Sequence, residues 1–171
     1  VLVSRKASIY NPEQIVLGDN IRIDDFCILS GNIKLGSYIH ISAYTCLIGG
    51  VKGIILQDFV TVSSRCAVYA VSDDFSGEQL NNSMIPTAYR SVIEGRVILE
   101  DYVSVGTGST ILPGVKLEEG AAVGAMSFVK HTLEGWKIYA GAPCRYVKDR
   151  NQNMKQLRAV LQNSGEYEES R

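Results

Sequence analysis

The chain of 171 residues is short of histidine and proline and carries almost no net charge. Its two histidines exclude any metal site that takes three histidine ligands from one chain, as the metal-dependent carbonic anhydrases do. With 17 Lys+Arg against 18 Asp+Glu the net charge is −1, so there is no basic excess for nucleic acid or an anionic lipid surface. No stretch approaches the roughly 18 consecutive apolar residues of a membrane-spanning helix. The opening, Val1 to Lys6, lacks the basic flank and apolar core of a secretory signal, and without an initiator Met a short N-terminal piece is expected to be missing. The four cysteines, Cys27, Cys46, Cys66 and Cys144, form no CxxC pair and match no zinc or disulfide spacing. They read as small buried residues of a protein in a reducing cytoplasm. Aromatic residues make up only 8% although the apolar fraction is 46%, and glycine is frequent at 16 residues.

What is present is a beat of six. Leu17, Ile23, Leu29, Leu35, Ile41 and Leu47 recur at that interval. After a slip through Gly49-Gly50-Val51 the beat resumes at Leu56, Val62 and Val68. It returns after a long break at Leu99, Val105, Ile111, Leu117, Val123 and Val129. Every position is Leu, Ile or Val. A second beat of small or aliphatic residues runs beside it, including Ile21, Cys27, Ile33, Ile39, Thr45, Cys66, Val103, Ser109, Val115 and Ser127. Six is divisible by the strand period of two and fits no helical multiple of 3.6. Short strands separated by turns, with the glycines turning the corners, stack into a solenoid whose bore is a Leu/Ile/Val ladder.

The pattern resembles the hexapeptide repeat of left-handed parallel β-helix acyltransferases, over about residues 15–150. The resemblance implies three hexads per triangular coil and so about five coils. Three further segments narrow it: Ile111-Leu112-Pro113-Gly114-Val115, Val123-Gly124-Ala125-Met126-Ser127-Phe128-Val129, and Ile138-Tyr139-Ala140-Gly141-Ala142-Pro143-Cys144-Arg145. These are similar to the last coils and tail of maltose, galactoside and O-antigen sugar O-acetyltransferases. The expected organisation is a β-helix domain over 1–150, with a loop inserted at 71–95, and a C-terminal helix and tail over 151–171. Met154, Leu157, Val160 and Leu161 form the apolar stripe of that helix, which is expected to close the open end of the solenoid; Gly165 is a stop signal before an acidic, frayed end. Three glycines at Gly49, Gly50 and Gly53 indicate either a turn bulging from a corner or a close backbone approach to substrate.

Acetyl transfer from a thioester needs a base, oxyanion donors and a clamp for CoA. His40 takes the sixth place of its hexad, facing outward near a corner, and is the candidate base. In the galactoside and maltose enzymes the catalytic histidine begins the loop corresponding to 71–95, where this chain has Ser72-Asp73-Asp74. Either His40 has taken over as base or a carboxylate acts as the base; the composite expectation is a histidine oriented by a carboxylate, with His40, Asp73 and Asp74 meeting across the interface of a homotrimer. The loop is expected to pack on a neighbouring subunit and wall the site, with Tyr89 and Arg90 as candidates for acceptor binding. For CoA the resemblance implies backbone contacts at Thr107 and Ala125, side chains at Lys130 and His131, and phosphate contacts at Arg145 and Lys148. Arg145, Lys148 and Arg150 form a local basic cluster, which suits phosphate independently of the resemblance. Trp136 and Tyr139 are read as packing residues. The leading expectation is a cytoplasmic enzyme using acetyl-CoA, with no metal, to acetylate a sugar hydroxyl for a surface polysaccharide or O-antigen. N-acetylation of a nucleotide-linked amino sugar is the alternative, and a non-catalytic β-helix scaffold a weaker one.

Overall fold

A computed structural model of the protein describes residues 1–164; the acidic end from Gly165 onward lies outside the described residues. The chain winds as a triangular parallel β-helix with three ladder faces. Face one stacks Leu2–Val3, Ile21–Ile23, Ile39–Ile41, Thr61–Val62, Ser104–Val105, Ala122–Val123 and Lys137–Ala140. Face two stacks Ser8–Tyr10, the starts of Ile28–Leu35 and Cys46–Leu56, then Ala67–Tyr69, Thr110–Ile111 and Phe128–Val129. Face three stacks Ile15–Leu17, the ends of the same two long strands, then Val97–Leu99 and Lys116–Leu117, with a last bridge from Leu117 to Leu133. These rungs make six closed coils and the start of a seventh, two more than the repeat count implied.

The reason lies at one corner. From face one to face two the step is always six residues, as in Arg22 to Ile28, His40 to Cys46, Thr61 to Ala67 and Ala122 to Phe128. From face three to face one it is six again, as in Leu35 to Ile41 and Leu117 to Val123. Only the corner between faces two and three varies. It holds the 3-10 turn Pro12–Gln14 in the first coil, the glycine bulge in the third, and the 71–95 insertion in the fourth; in the sixth it is shortened. A six-residue beat therefore loses count there, catching only Leu17 of the first coil and nothing after Val129.

Both beats face the bore as expected. Apart from half-exposed Leu17, every Leu/Ile/Val of the first beat is buried, and the second beat is buried throughout. Alternation along each strand sends one residue in and the next out, and each fully buried aliphatic side chain contributes roughly 1.5–3 kcal/mol. The buried polar members are satisfied by turn carbonyls at the first corner. The Cys27 thiol donates to the Ser42 carbonyl at 3.2 Å, the Thr45 hydroxyl to Ser63 at 2.9 Å, and the Cys66 thiol to Gly106 at 3.2 Å. Ser109 and Ser127 both donate to Gly124, at 3.1 and 2.8 Å. All four cysteines are free, and burial pushes the Cys27 and Cys66 thiols up, away from reactive thiolate.

The corners overturn one expectation. Each turn needs a left-handed residue three places after the inward aliphatic, but few of these are glycine. At the first corner they are Phe26, Tyr44, Arg65, Gly108 and Met126; at the third they are Asn20, Tyr38, Phe59, Tyr102, Gly120 and Trp136. A non-glycine residue there costs roughly 1–2 kcal/mol in backbone strain, which stacking between rungs offsets. At the third corner Tyr38, Phe59 and Tyr102 stack with centroids 4.7 and 5.5 Å apart, and Trp136 leans onto Tyr102 at 5.7 Å. Six of the fourteen aromatics thus lie on the outside of the bends, and Trp136 and Tyr139 are packing residues as read.

The helix Met154–Ser164 does not close the open end. It lies along the third corner, where Met154, Leu157 and Leu161 border an apolar groove with Phe59 and Tyr102. Arg158 crosses over both rings and reaches Asp58 at 2.9 Å and Asp101 at 2.6 Å. No helix among the described residues is long and apolar enough to cross a membrane.

Candidate functional site

His40 stands on face one, in the strand Ile39–Ile41, with its side chain 41% exposed. One rung below it is Arg22 and one rung above is Thr61. Its Nε2 lies 2.8 Å from Oδ2 of Asp24, whose Oδ1 accepts from Arg22 Nε at 2.7 Å. Burial raises the Asp24 carboxyl, but the hydrogen bonds from Arg22 and His40 outweigh it and hold the group below its ordinary value. A histidine oriented by a carboxylate is therefore present within one chain. Within one chain the carboxylate is Asp24 rather than Asp73 or Asp74. The register could have found it: Arg22 lies one coil before His40, and Asp24 begins the turn that follows on that coil.

Asp73 and Asp74 are elsewhere. The insertion leaves the solenoid at Ala70 and returns at Gly95, where the Gly95 amide donates to the Ala70 carbonyl at 3.0 Å. Its stem is an antiparallel ribbon of Val71–Asp73 and Val92–Glu94. Asp74 sits at the top of the ribbon, accepting from the Ser76 amide at 2.8 Å, the Ser91 hydroxyl at 2.9 Å and the Ser76 hydroxyl at 3.1 Å. These bonds, the Ser76 amide first, hold its carboxyl below the ordinary range, which makes it a weak base and a firm acceptor. Tyr89 closes the short turn Thr87–Tyr89, and Arg90 bridges to Leu80 and donates to the Asn82 carbonyl at 3.5 Å. Two large apolar side chains of the arm stand in solvent, Phe75 at 79% and Met84 at 88% exposure.

The CoA candidates divide into groups. Thr107 and Ala125 stack on the first corner one coil apart, tied by the Met126 amide to the Thr107 carbonyl at 2.8 Å. Ser64 lies one rung below Thr107 and its carbonyl accepts from the Gly108 amide at 3.0 Å. Lys130 and His131 are exposed at the second corner of the sixth coil. Arg145 and Lys148 are exposed on the strand Arg145–Asp149, which folds back antiparallel on Lys137–Ala140. Arg150, third member of the basic cluster, is turned inward: its Nη1 donates to the carbonyls of Tyr102 and Gly120 and its Nη2 to the Ser104 hydroxyl. It fastens the tail to face one rather than facing an anion. No group of three or more metal-ligating side chains exists among the described residues.

Comparison with known proteins identifies relatives of this architecture. The chain is 37% identical over 167 residues to dTDP-4-amino-4,6-dideoxy-D-glucose acyltransferase of Escherichia coli, covering 96% of this chain and 86% of that one. It is 51% identical to AntD, an N-acyltransferase from Bacillus cereus, in complex with dTDP and 3-hydroxybutyryl-CoA. That superposition has a TM-score of 0.93 and covers 95% of this chain and 86% of AntD. A mutant of AntD in complex with dTDP-4-amino-4,6-dideoxyglucose and coenzyme A superposes with a TM-score of 0.95, at 51% identity, over 96% of this chain and 88% of that one. No protein-family model matches the chain.

Proposed function

The chain belongs to the hexapeptide-repeat, left-handed parallel β-helix acyltransferases, and from that premise we propose that it moves an acyl group from CoA to the amino group of a dTDP-linked amino sugar. The similarity to AntD over nearly the whole chain is the observation that carries this reading. It moves the acceptor from the sugar hydroxyl, the leading expectation of the sequence, to the amine held there as the alternative. The acyl group is acetyl or a short hydroxyacyl group of the kind AntD holds as its thioester. The working unit is a homotrimer in the cytoplasm. The exposed Phe75 and Met84 on the arm of one subunit suit the flank of the next, and the four free thiols suit a reducing compartment.

Chemically, the sugar amine attacks the thioester carbonyl, the C–N bond forms, and the tetrahedral oxyanion collapses with loss of the C–S bond. One amine proton passes to a base, and the departing thiolate takes up a proton to leave as CoA. His40 is that base in this reading, its ring fixed by Asp24 so that it can accept the proton and hold the charge. Asp74 accepts a hydrogen bond from the amine, and Asp73 supports the arm beside it, with Tyr89 and Arg90 lining the acceptor. Thr107 and Ala125 line the pantetheine, with Lys130, His131, Arg145 and Lys148 toward its phosphates.

The test is single-turnover kinetics with acetyl-CoA and dTDP-4-amino-4,6-dideoxyglucose. His40→Gln is expected to lower the chemical step about 100-fold or more and Asp74→Asn by a similar factor, with CoA affinity unchanged. Normal turnover in His40→Gln alongside a collapse in Asp74→Asn would transfer the base to the carboxylate.

A further inference from the structure

We infer that the lower half of the first corner is the seat of the acceptor's nucleoside diphosphate, with the base on Phe26 and Tyr44 and the diphosphate at Arg65. This inference rests on the nucleotide-sugar reading above and locates its substrate on this chain's own residues.

Phe26 and Tyr44 occupy the left-handed positions of successive turns and stack with centroids 4.9 Å apart at 24°. They remain 45% and 56% exposed. At the third corner the equivalent rings are roofed by the C-terminal helix and Arg158, but among the described residues no helix covers the first corner. The faces of Phe26 and Tyr44 are engaged with each other and, on Phe26, with the Lys6 ammonium, so the pair shows its ring edges to solvent, an apolar patch of nucleobase size against which the face of a base can lie edge-to-face. The rings are held by the rungs behind them, through the Tyr44 amide to the Asp25 carbonyl at 3.1 Å and the Arg65 amide to the Ala43 carbonyl at 3.0 Å.

The charges around the platform favour a diphosphate at one side only. Below it, Asp25 is engaged by Ser4 and by Lys6, whose ammonium lies 5.4 Å over the Phe26 ring. Asp24 is engaged by Arg22 and His40. Above it, Arg65 sits one rung from Tyr44, exposed, with no hydrogen bond or ion pair to its guanidinium among the described residues. A guanidinium with all its donors open is the natural partner of a diphosphate.

Rungs are about 4.8 Å apart, so Phe26, Tyr44 and Arg65 span about 10 Å along the axis. Thr107 and Ala125, assigned to the pantetheine, continue the same corner above Ser64. His40 lies on the strand that leads into the Tyr44 turn, four residues before it. The donor thus descends the corner from the C-terminal end and the nucleotide ascends it from the N-terminal end. They meet beside His40.

Calorimetric titration of the whole protein with dTDP and, separately, with CoA tests this. Asn tolerates the left-handed backbone, so Tyr44→Asn and Phe26→Asn remove a ring without forcing the turn. Each is expected to weaken dTDP about tenfold or more and leave CoA binding unchanged, with Tyr44→Phe close to wild type. Arg65→Gln should weaken dTDP by a similar factor but leave thymidine binding unaltered, and should flatten the salt dependence of dTDP affinity. Wild-type binding of dTDP that survives in all three ring and Arg65 variants overturns the platform while the nucleotide-sugar reading stands. A wild type that binds CoA but no dTDP removes both.

Discussion

The first and third corners of this solenoid are built to the same plan and used differently. Both take six residues, and both place a left-handed residue three positions after an inward aliphatic. At the third corner the rings of Tyr38, Phe59, Tyr102 and Trp136 run in file beneath a helix, with Arg158 bonded to Asp58 and Asp101 across them. At the first corner Phe26 and Tyr44 stack, but the rungs above them carry an open arginine, a glycine and Met126 in place of rings. The difference is in cover, not in backbone. A covered ring file contributes to stability; an uncovered one contributes little to it and is available to a ligand.

Substitutions sharpen that contrast in order of effect. Gly120 sits in the third-corner file between Tyr102 and Trp136, where a Cβ would collide with the Trp136 ring, at a φ of +70°. Gly120→Ala should cost about 3 kcal/mol, combining backbone strain with overpacking, read as a lowered midpoint in chemical denaturation. Arg158→Met keeps the stem over the rings and removes both ion pairs, and is expected to cost about 2 kcal/mol with kcat unchanged. Tyr44→Asn on the open corner should change stability by less than about 1 kcal/mol. If Tyr44→Asn proves as damaging to stability as Gly120→Ala, the two corners do the same work and the contrast fails.

Much of this was legible in the residues. The two beats marked every rung from Ile21 to Val129, because a bore this narrow admits only aliphatic and small side chains and repetition enforces them. The start of the first coil and everything after Val129 were invisible because the second corners of the first and sixth coils depart from six residues. The ring files escaped for a different reason: a turn position at intervals of 18, 21 and 43 residues shows no local pattern until strand register is known. The same holds for the site. His40 stood out as one of two histidines, but its tie to Asp24 runs across two coils, and Arg158 meets Asp58 a hundred residues away. Arg150 looked like part of a phosphate clamp because composition reveals charge but not the direction in which a side chain turns.

The constancy of two corners and the freedom of the third has a consequence for how such a chain can change. A short 3-10 turn, a glycine bulge, a long arm and a deletion all enter at the junction of faces two and three, and none disturbs the rungs above or below. That junction is a port: segments can be exchanged there, coil by coil, while the ring file, the histidine and the proposed nucleotide platform keep their places. Transplanting the 71–95 arm of one such enzyme into the same coil of another should move its acceptor preference without refolding the host.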